Sequence, residues 1–150
     1  MPSPVRIAQA ILDRGLSVER PVVILSENSL EHALLSLGCL IAGVPFVQTS
    51  PAYSLISTDY DKLRHVINTV TPGLLFASDA ARYGKALQAV ATPEMELVLV
   101  EGELAGLAST PFDALCATPD TPAVDAAMAA TGPDTIVKFL FTSGSTKLPK

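Results

Sequence analysis

The end of the chain carries a short segment whose side chains could bind a phosphate-containing ligand. Residues 142–150 are Thr-Ser-Gly-Ser-Thr-Lys-Leu-Pro-Lys, so four hydroxyl groups surround Gly144 and two lysines follow. Glycine allows a backbone in which successive amides face inward and form a concave anion site. Hydroxyl groups and the compact ammonium of lysine add donors to phosphate oxygens. The pattern predicts a polyphosphate site, and the alternative is an ordinary loop rich in Ser, Thr and Gly.

The distribution of charge favours one local anion site. The formal net charge is −5, which argues against a general nucleic-acid-binding protein, because such a protein needs a basic face. No Lys or Arg occurs between Lys85 and Lys138, whereas Lys138, Lys147 and Lys150 fall within the last 13 residues. A basic cluster on an acidic protein indicates a specific anion site, and the alternative is three solvated loop lysines. The segment is not a Walker A loop, which needs a second glycine directly before Lys-Ser/Thr.

The other reactive side chains lack partners at a useful spacing. His32 and His65 fall on predicted helices without an acidic or nucleophilic partner at a useful spacing, and we interpret both as structural or surface residues. Cys39 and Cys116 stand far apart without metal-ligand spacing, which predicts buried, reduced thiols. Tyr53 is interpreted as a turn aromatic that packs on the sheet edge. We therefore predict no catalytic residue and no metal ligand within these 150 residues.

The apolar character of the chain does not indicate a membrane protein. The mean hydropathy is +0.40, but the most apolar stretch, residues 33–47, is too short to span a bilayer and contains Gly43 and Pro45. Residues 1–15 include Asp13 and lack the uninterrupted apolar segment of a signal peptide. We therefore expect a cytoplasmic protein.

Strand-like runs alternate with helical patterns along the chain. Short apolar or β-branched runs predict strands at residues 21–25, 44–48, 74–77, 97–100 and 135–141. Helical periodicity predicts helices at about residues 28–42, 58–70 and 78–90. Asn28 is expected to cap the first of these helices together with Glu31, and Gly43 to end it in a left-handed conformation. Residues 51–54 have the composition of a turn.

This order of elements predicts the fold class. Strands joined by crossover helices form a largely parallel sheet with helices on both faces, which is an α/β fold. Ligands of such sheets collect beyond the carboxyl ends of the strands, and residues 142–150 directly follow the strand predicted at 135–141. Residues 113–134 are rich in Ala, Thr, Pro and Asp, and are expected to form a flexible connection with a helical turn at 124–130.

The string from Phe141 to Lys150 resembles the signature loop of the adenylate-forming superfamily, which includes acyl- and aryl-CoA synthetases, luciferases and peptide-synthetase adenylation domains. The family pattern is an aromatic residue followed by Thr-Ser-Gly-Ser/Thr-Thr-Gly-x-Pro-Lys. One position differs, because Lys147 stands where glycine is usual. Residues 21–29, 42–46 and 50–54 also resemble the family, so the resemblance covers most of the chain. Residues 50–55 and 61–64, together with Lys147, are most similar to feruloyl-CoA synthetases.

The resemblance implies an enzyme that joins a carboxylic acid to ATP and then passes the acyl group to coenzyme A. It implies part of the large N-terminal domain as the fold, and ATP, Mg²⁺ and coenzyme A as cofactor and co-substrates. The phosphates of ATP would be bound by Thr142, Ser143, Gly144, Ser145, Thr146 and Lys150. Lys147 has no family role. Ferulate or another hydroxycinnamate is the first candidate acid, followed by medium-chain fatty acids and other aryl acids.

In the relatives, the adenine contacts, the acid pocket and a small C-terminal domain with a catalytic lysine lie further along the chain. We therefore expect these 150 residues to be a partial N-terminal subdomain without ligase activity of its own. Two other hypotheses remain open: a non-catalytic α/β module that binds nucleotide or pyrophosphate, and a fragment that serves only as a scaffold. The sequence assigns no oligomeric state.

Overall fold

The computed structural model of the protein describes residues 1–142 and 148–150. Its helices are α1 (Pro4–Asp13), α2 (Leu30–Ala42), α3 (Ala52–Leu55), α4 (Asp61–Val70), α5 (Ala80–Val90), α6 (Phe112–Cys116) and α7 (Pro122–Ala130). Its strands are β1 (Val22–Ile24), β2 (Phe46–Gln48), β3 (Leu74–Asp79), β4 (Glu96–Glu101) and β5 (Thr110–Pro111). Among these described residues, no helix is both long and apolar enough to cross a membrane.

The five strands form one parallel sheet in the order β2-β1-β3-β4-β5. Val23 of β1 lies between Val47 of β2 and Leu75 of β3, and Leu75 pairs in turn with Leu97 of β4. Sequential parallel strands need a crossover. Helices supply it between β1 and β4, whereas residues 102–109, which join β4 to β5, contain no helix. The predicted α/β class, with a parallel sheet, is confirmed.

Alternate residues of the strands build two hydrophobic layers, one on each face of the sheet. On one face, Ile24 and Phe76 pack with side chains of α1, α2, α6 and α7. On the other face, Val23 and Leu75 pack with side chains of α4 and α5. Because successive strand residues point to opposite faces, a central strand of this sheet must be apolar throughout. This explains why β1 is a continuous run of Val-Val-Ile.

Helix α1 is an element that the sequence analysis did not predict. Ser3 caps its N-terminus by accepting a hydrogen bond from the amide of Val5, and Pro4 occupies the first turn. The helix buries Ile7 and Ile11 against α2 and the sheet. Close approach of the two helices depends on Gly38 of α2, where an added Cβ would lie 2.6 Å from Cγ2 of Ile7.

We expect Gly38→Ala to lower the free energy of unfolding by about 1–3 kcal/mol, because overpacking at the α1–α2 contact outweighs the gain in helix propensity. Denaturant unfolding followed by circular dichroism measures the change. Gly132→Ala is the matched control, since nothing lies within 4 Å of a Cβ added there. An equal or greater stability of Gly38→Ala than of the wild type would contradict the packing described.

The ends of two helices differ in detail from expectation. Ser29, not Asn28, caps α2: its backbone is extended and its hydroxyl accepts a hydrogen bond from the amide of His32. The left-handed stop at Gly43 is confirmed, with φ at 71°. Helix α4 begins at Asp61 after Tyr60, which is itself left-handed with φ at 58°. The segment expected as a turn at 51–54 contains the single-turn helix α3.

The strand predicted at 135–141 is wrong as a regular strand. The segment lies parallel to β2 but forms one bridge, between Lys138 and Phe46. The carbonyl of Val137 accepts from the amide of Phe46 at 3.4 Å, and the carbonyl of Phe46 accepts from the amide of Phe139 at 3.1 Å. Within the described chain it has β2 on one side and no strand on the other, so little of its backbone is paired. Its β-branched sequence alone could not show this.

The segment expected as a flexible connection at 113–134 contains most of α6 and all of α7. The helical turn predicted at 124–130 is a nine-residue helix, capped by Thr121. Gln9 of α1 accepts two hydrogen bonds from Thr121, one from the amide and one from the hydroxyl. Val124 is buried in the same layer as α1. The segment is therefore attached to the body of the domain by both polar and apolar contacts.

Candidate functional site

The structure places two of the six predicted phosphate-binding residues. Thr142 and Lys150 are described, and both are exposed. The predicted residues Ser143, Gly144, Ser145 and Thr146 lie outside the described residues, as does Lys147. The site is therefore built from the two ends of the 142–150 segment and from the elements around them.

The two ends of the segment are joined to each other. The amide of Thr142 donates to the carbonyl of Lys150 at 2.6 Å, and the amide of Lys150 donates to the carbonyl of Thr142 at 3.1 Å. The hydroxyl of Thr142 also approaches the Lys150 carbonyl, at 3.2 Å. This reciprocal pair closes residues 142–150 into a loop, which we call the 142–150 loop. Both ends of the predicted site are thus fixed at one place.

Helix α4 supports the base of this loop through His65. Nε2 of His65 lies 2.9 Å from the carbonyl oxygen of Pro149. The ring of Phe141 meets the His65 ring edge-on, with centroids 6.5 Å apart and planes at 82°. Phe141 also packs against the hydrophobic layer of α4 and α5. One side chain of α4 therefore contacts the residue before the loop and a residue near its end.

The described ends of the loop lie at the carboxyl edge of the sheet. Residues 135–141 run parallel to β2, so this segment and β2 reach the edge in the same direction. A cavity of about 360 Å³ opens there, between the end of β2 and Phe141. Its lining includes Gln48, Ser50, Tyr53 and Lys62. Ligands of parallel sheets bind at such an edge, so the two ends of the loop lie where the fold places its ligands.

A larger groove of about 670 Å³ continues from this cavity along α3 and the start of α4. Tyr53 and Lys62 line both spaces, and the Lys62 ammonium lies 5.7 Å from the centre of the Tyr53 ring. Leu148 of the loop forms part of the groove. Tyr53 packs against the hydrophobic layer of α4 and α5, and it also lines the groove. The groove is mainly apolar, with charged groups at its rim.

One of those rim charges is a stabilised carboxylate. The amide of Asp61 and the hydroxyl of Ser57 donate hydrogen bonds to Asp59 and lower the pKa of its carboxyl group. Asp59 is therefore ionised at neutral pH and adds a negative charge close to Lys62. The groove thus presents both signs of charge beside an apolar floor.

A chain of side-chain hydrogen bonds joins Lys138 to α2. The Lys138 ammonium donates to Oε1 of Gln48 at 2.6 Å, and Nε2 of Gln48 lies 2.6 Å from Nε2 of His32. Nδ1 of His32 lies 3.0 Å from the carbonyl of Glu27, which can only accept. Nδ1 of His32 therefore donates to this carbonyl. These hydrogen bonds support the structural interpretation of His32. They also show that Lys138 connects residues 135–141 to Gln48 of β2.

Both cysteines are free, and burial raises the pKa of both thiols. Cys39 is completely buried, whereas Cys116 is partly exposed and its pKa is also raised, to a smaller extent, by nearby Asp113. We expect iodoacetamide at pH 8 to modify Cys39 of the folded protein at least roughly tenfold more slowly than Cys116. Intact mass spectrometry of the single-cysteine variants Cys39→Ser and Cys116→Ser measures each rate. Equal rates in the folded state would contradict the burial of Cys39.

The part of the chain that the structure describes contains no group of three or more His, Cys, Asp or Glu side chains that could hold a metal ion. The contact of His65 with Pro149 was not predicted from the sequence. Its two partners are 84 residues apart along the chain. No local spacing could have indicated it.

Comparison with known proteins identifies the family. The model of the family described as AMP-binding enzyme matches residues 5–150. A salicylyl-CoA synthase / salicylate adenylyltransferase from Streptomyces sp is 30% identical over 148 residues, which are 96% of this chain and 27% of that protein. This chain therefore spans about a quarter of the length of that relative.

Solved structures agree in fold. A benzoate CoA ligase from Burkholderia xenovorans LB400 superposes with a TM-score of 0.68 at 24% identity, over 92% of this chain and 25% of that chain. ATP-bound MatB from Rhodopseudomonas palustris gives a TM-score of 0.64 at 20% identity, over 98% of this chain and 27% of that chain. The sheet and the helices on its two faces belong to one recognised architecture, and the chain is a member of the AMP-binding enzyme family.

Proposed function

We propose that the chain is the phosphate-binding part of an AMP-forming acid–CoA ligase. The observation that carries the proposal is the 142–150 loop, which matches the family's signature and is closed by the reciprocal hydrogen bonds between Thr142 and Lys150. The match over residues 5–150 supports the family, and the salicylyl-CoA synthase supports the reaction type. In this proposal residues 1–150 form a partial N-terminal subdomain, and the complete enzyme supplies the remaining parts.

The proposed role of the loop follows from the charge that develops in the first half-reaction. When a carboxylate attacks the α-phosphate of ATP, negative charge accumulates on the departing pyrophosphate. Donors and cations that are already oriented towards this charge lower the barrier. The backbone and hydroxyl groups of Thr142, Ser143, Gly144, Ser145 and Thr146 would bind the β- and γ-phosphates. Lys150 would contribute positive charge at the base of the loop.

ATP, Mg²⁺ and coenzyme A are the proposed small-molecule partners. MatB was solved with ATP bound, which supports ATP as the nucleotide. Mg²⁺ usually keeps several waters and is held by substrate phosphates with one or two protein oxygens. A dedicated cage of acidic side chains is therefore not required, and the described residues contain none. The ion would neutralise phosphate charge, while the residues of this chain bind and orient the nucleotide.

The proposed acid is aromatic, and a hydroxycinnamate such as ferulate is the first candidate. Two relatives support an aromatic acid by their names, the salicylyl-CoA synthase and the benzoate CoA ligase. The similarity of residues 50–55 and 61–64 to feruloyl-CoA synthetases favours hydroxycinnamates within that class. Residues 53 and 62 of these two segments line the groove beside the loop.

The test is formation of acyl-CoA by the complete protein from Mg·ATP, coenzyme A and a panel of acids, followed by mass spectrometry of the thioesters. The panel holds ferulate, coumarate, salicylate, benzoate and octanoate. The largest kcat/KM with ferulate or coumarate supports the whole proposal. A preference for salicylate, benzoate or octanoate retains the ligase and overturns the hydroxycinnamate assignment. Binding of ATP or pyrophosphate without a thioester from any acid would favour a non-catalytic binding module.

A further inference from the structure

The contact between His65 and the 142–150 loop has a defined polarity. The carbonyl of Pro149 can only accept a hydrogen bond, and Nε2 of His65 lies 2.9 Å from its oxygen. Nε2 must therefore carry a proton and donate it to that bond. Pro149 itself is buried, although Leu148 and Lys150 on either side are exposed. The bond is thus made at the buried point of an otherwise exposed segment.

The support behind His65 is rigid. Leu63, Val66 and Ile67 of the same helix are buried in the layer between α4 and the sheet. They hold α4 in place and leave the His65 side chain facing the loop. Phe141, which packs edge-on against the His65 ring, belongs to the same hydrophobic layer. A helix anchored by three buried side chains therefore presents one donor to the loop.

The position of the bond along the loop matters. Pro149 directly precedes Lys150, whose amide and carbonyl pair with Thr142. Holding the Pro149 carbonyl consequently restricts the backbone that places the Lys150 end of this pair. Phe141, whose ring also contacts His65, directly precedes Thr142 at the start of the loop. A single imidazole therefore contacts the neighbours of both residues that close the loop.

We propose that His65 is a positioning residue for the phosphate-binding loop. Resting on the function proposed above, this inference adds that α4 fixes the Thr142 and Lys150 ends of the loop before ATP binds. Without the Nε2–H donor, these ends would be fixed only on nucleotide binding, and the cost would appear in that step. Uniform loss of binding in the ground and transition states raises KM and leaves kcat unchanged.

The test compares four forms of the complete protein: wild type, His65→Leu, His65→Gln and Asn68→Leu. Leucine removes the donor, whereas glutamine keeps an N–H group. Asn68 is exposed one turn further along α4 and serves as the control. From the net strength of one hydrogen bond, we expect His65→Leu to raise the KM for ATP roughly threefold to tenfold, with kcat changed by less than about twofold. We expect His65→Gln to recover most of the loss and Asn68→Leu to match wild type.

A second measurement does not depend on activity or on a variant that folds. Long-range ¹H–¹⁵N correlation spectra of the wild-type protein identify which imidazole nitrogen of His65 is protonated, and we expect Nε2–H. An Nδ1–H tautomer, an unchanged ATP KM in His65→Leu, or a glutamine variant as impaired as the leucine variant would each overturn the positioning role. If no acid supports any reaction in the wild type, the proposed function fails. The protonation of Nε2 would then still show whether His65 donates a hydrogen bond to the Pro149 carbonyl.

Discussion

Phe76→Ala is expected to lower the free energy of unfolding by about 3–5 kcal/mol, because it removes a fully buried aromatic ring from the centre of the sheet. Phe76 pairs with Ile24 of β1 on one side and with Val98 of β4 on the other. Its ring also meets that of Phe112 edge-on, with centroids 5.5 Å apart. The neighbouring strands cannot collapse into the space that the ring leaves, so most of the cavity would persist.

Urea unfolding of the 150-residue chain, followed by circular dichroism, measures this loss. Leu30→Ala is the control, since Leu30 is exposed at the first position of α2, and its truncation should change the stability by less than about 0.5 kcal/mol. Such a loss is a large share of the stability of a domain of this size. A Phe76→Ala variant as stable as the control would show that this ring is not in the packed core.

Lys150→Ala is expected to reduce acid-dependent ATP–pyrophosphate exchange by the complete protein on the order of 10²-fold, since it removes a positive charge from the base of the phosphate loop. Its backbone pairs with Thr142 and its side chain is exposed. Alanine retains the backbone hydrogen bonds, so the loop would still close. The expected loss therefore falls on phosphate binding and charge stabilisation, not on folding.

Lys85→Ala is the matched control, because Lys85 is an exposed lysine on α5. It should retain wild-type exchange at every ATP concentration. Lys150→Arg separates charge from shape, since arginine keeps the charge but presents it on a planar fork. If Lys150→Ala and Lys85→Ala show the same activity, Lys150 does not act on the phosphates, and the role that the family resemblance gives it is wrong.

Local patterns in the sequence predicted most of the fold. The continuous apolar run at 21–25 marks β1, and Asp79 is both the last residue of β3 and the cap of α5. Such signals are contained in a few neighbouring residues. Helix α1 was missed although Ser3 and Pro4 are local signals of a helix start. The segment at 135–141 has strand composition, but its pairing depends on which strands lie beside it.

In the candidate site, too, the sequence predicted some features and tertiary contacts determined others. The string from Thr142 to Lys150 predicted the ligand class from residue types alone, and the structure brings its two ends together. The contacts of His65 and Tyr53 depend on tertiary structure. The partner of His65 is 84 residues away, and the groove that Tyr53 lines is built by α3, α4 and Leu148. Sequence indicates the chemistry of a loop, whereas packing decides what supports it.

The central claim is that the 142–150 loop binds the phosphates of ATP while an acid is activated. Exchange of radioactive pyrophosphate into ATP by the complete protein tests it most directly, because exchange requires reversible acyl-adenylate formation. We expect exchange that depends on an added aromatic acid and on Mg²⁺, and that falls sharply in Lys150→Ala but not in Lys85→Ala. Folded protein that shows no exchange with any acid, or exchange that is equal in both variants, would contradict it.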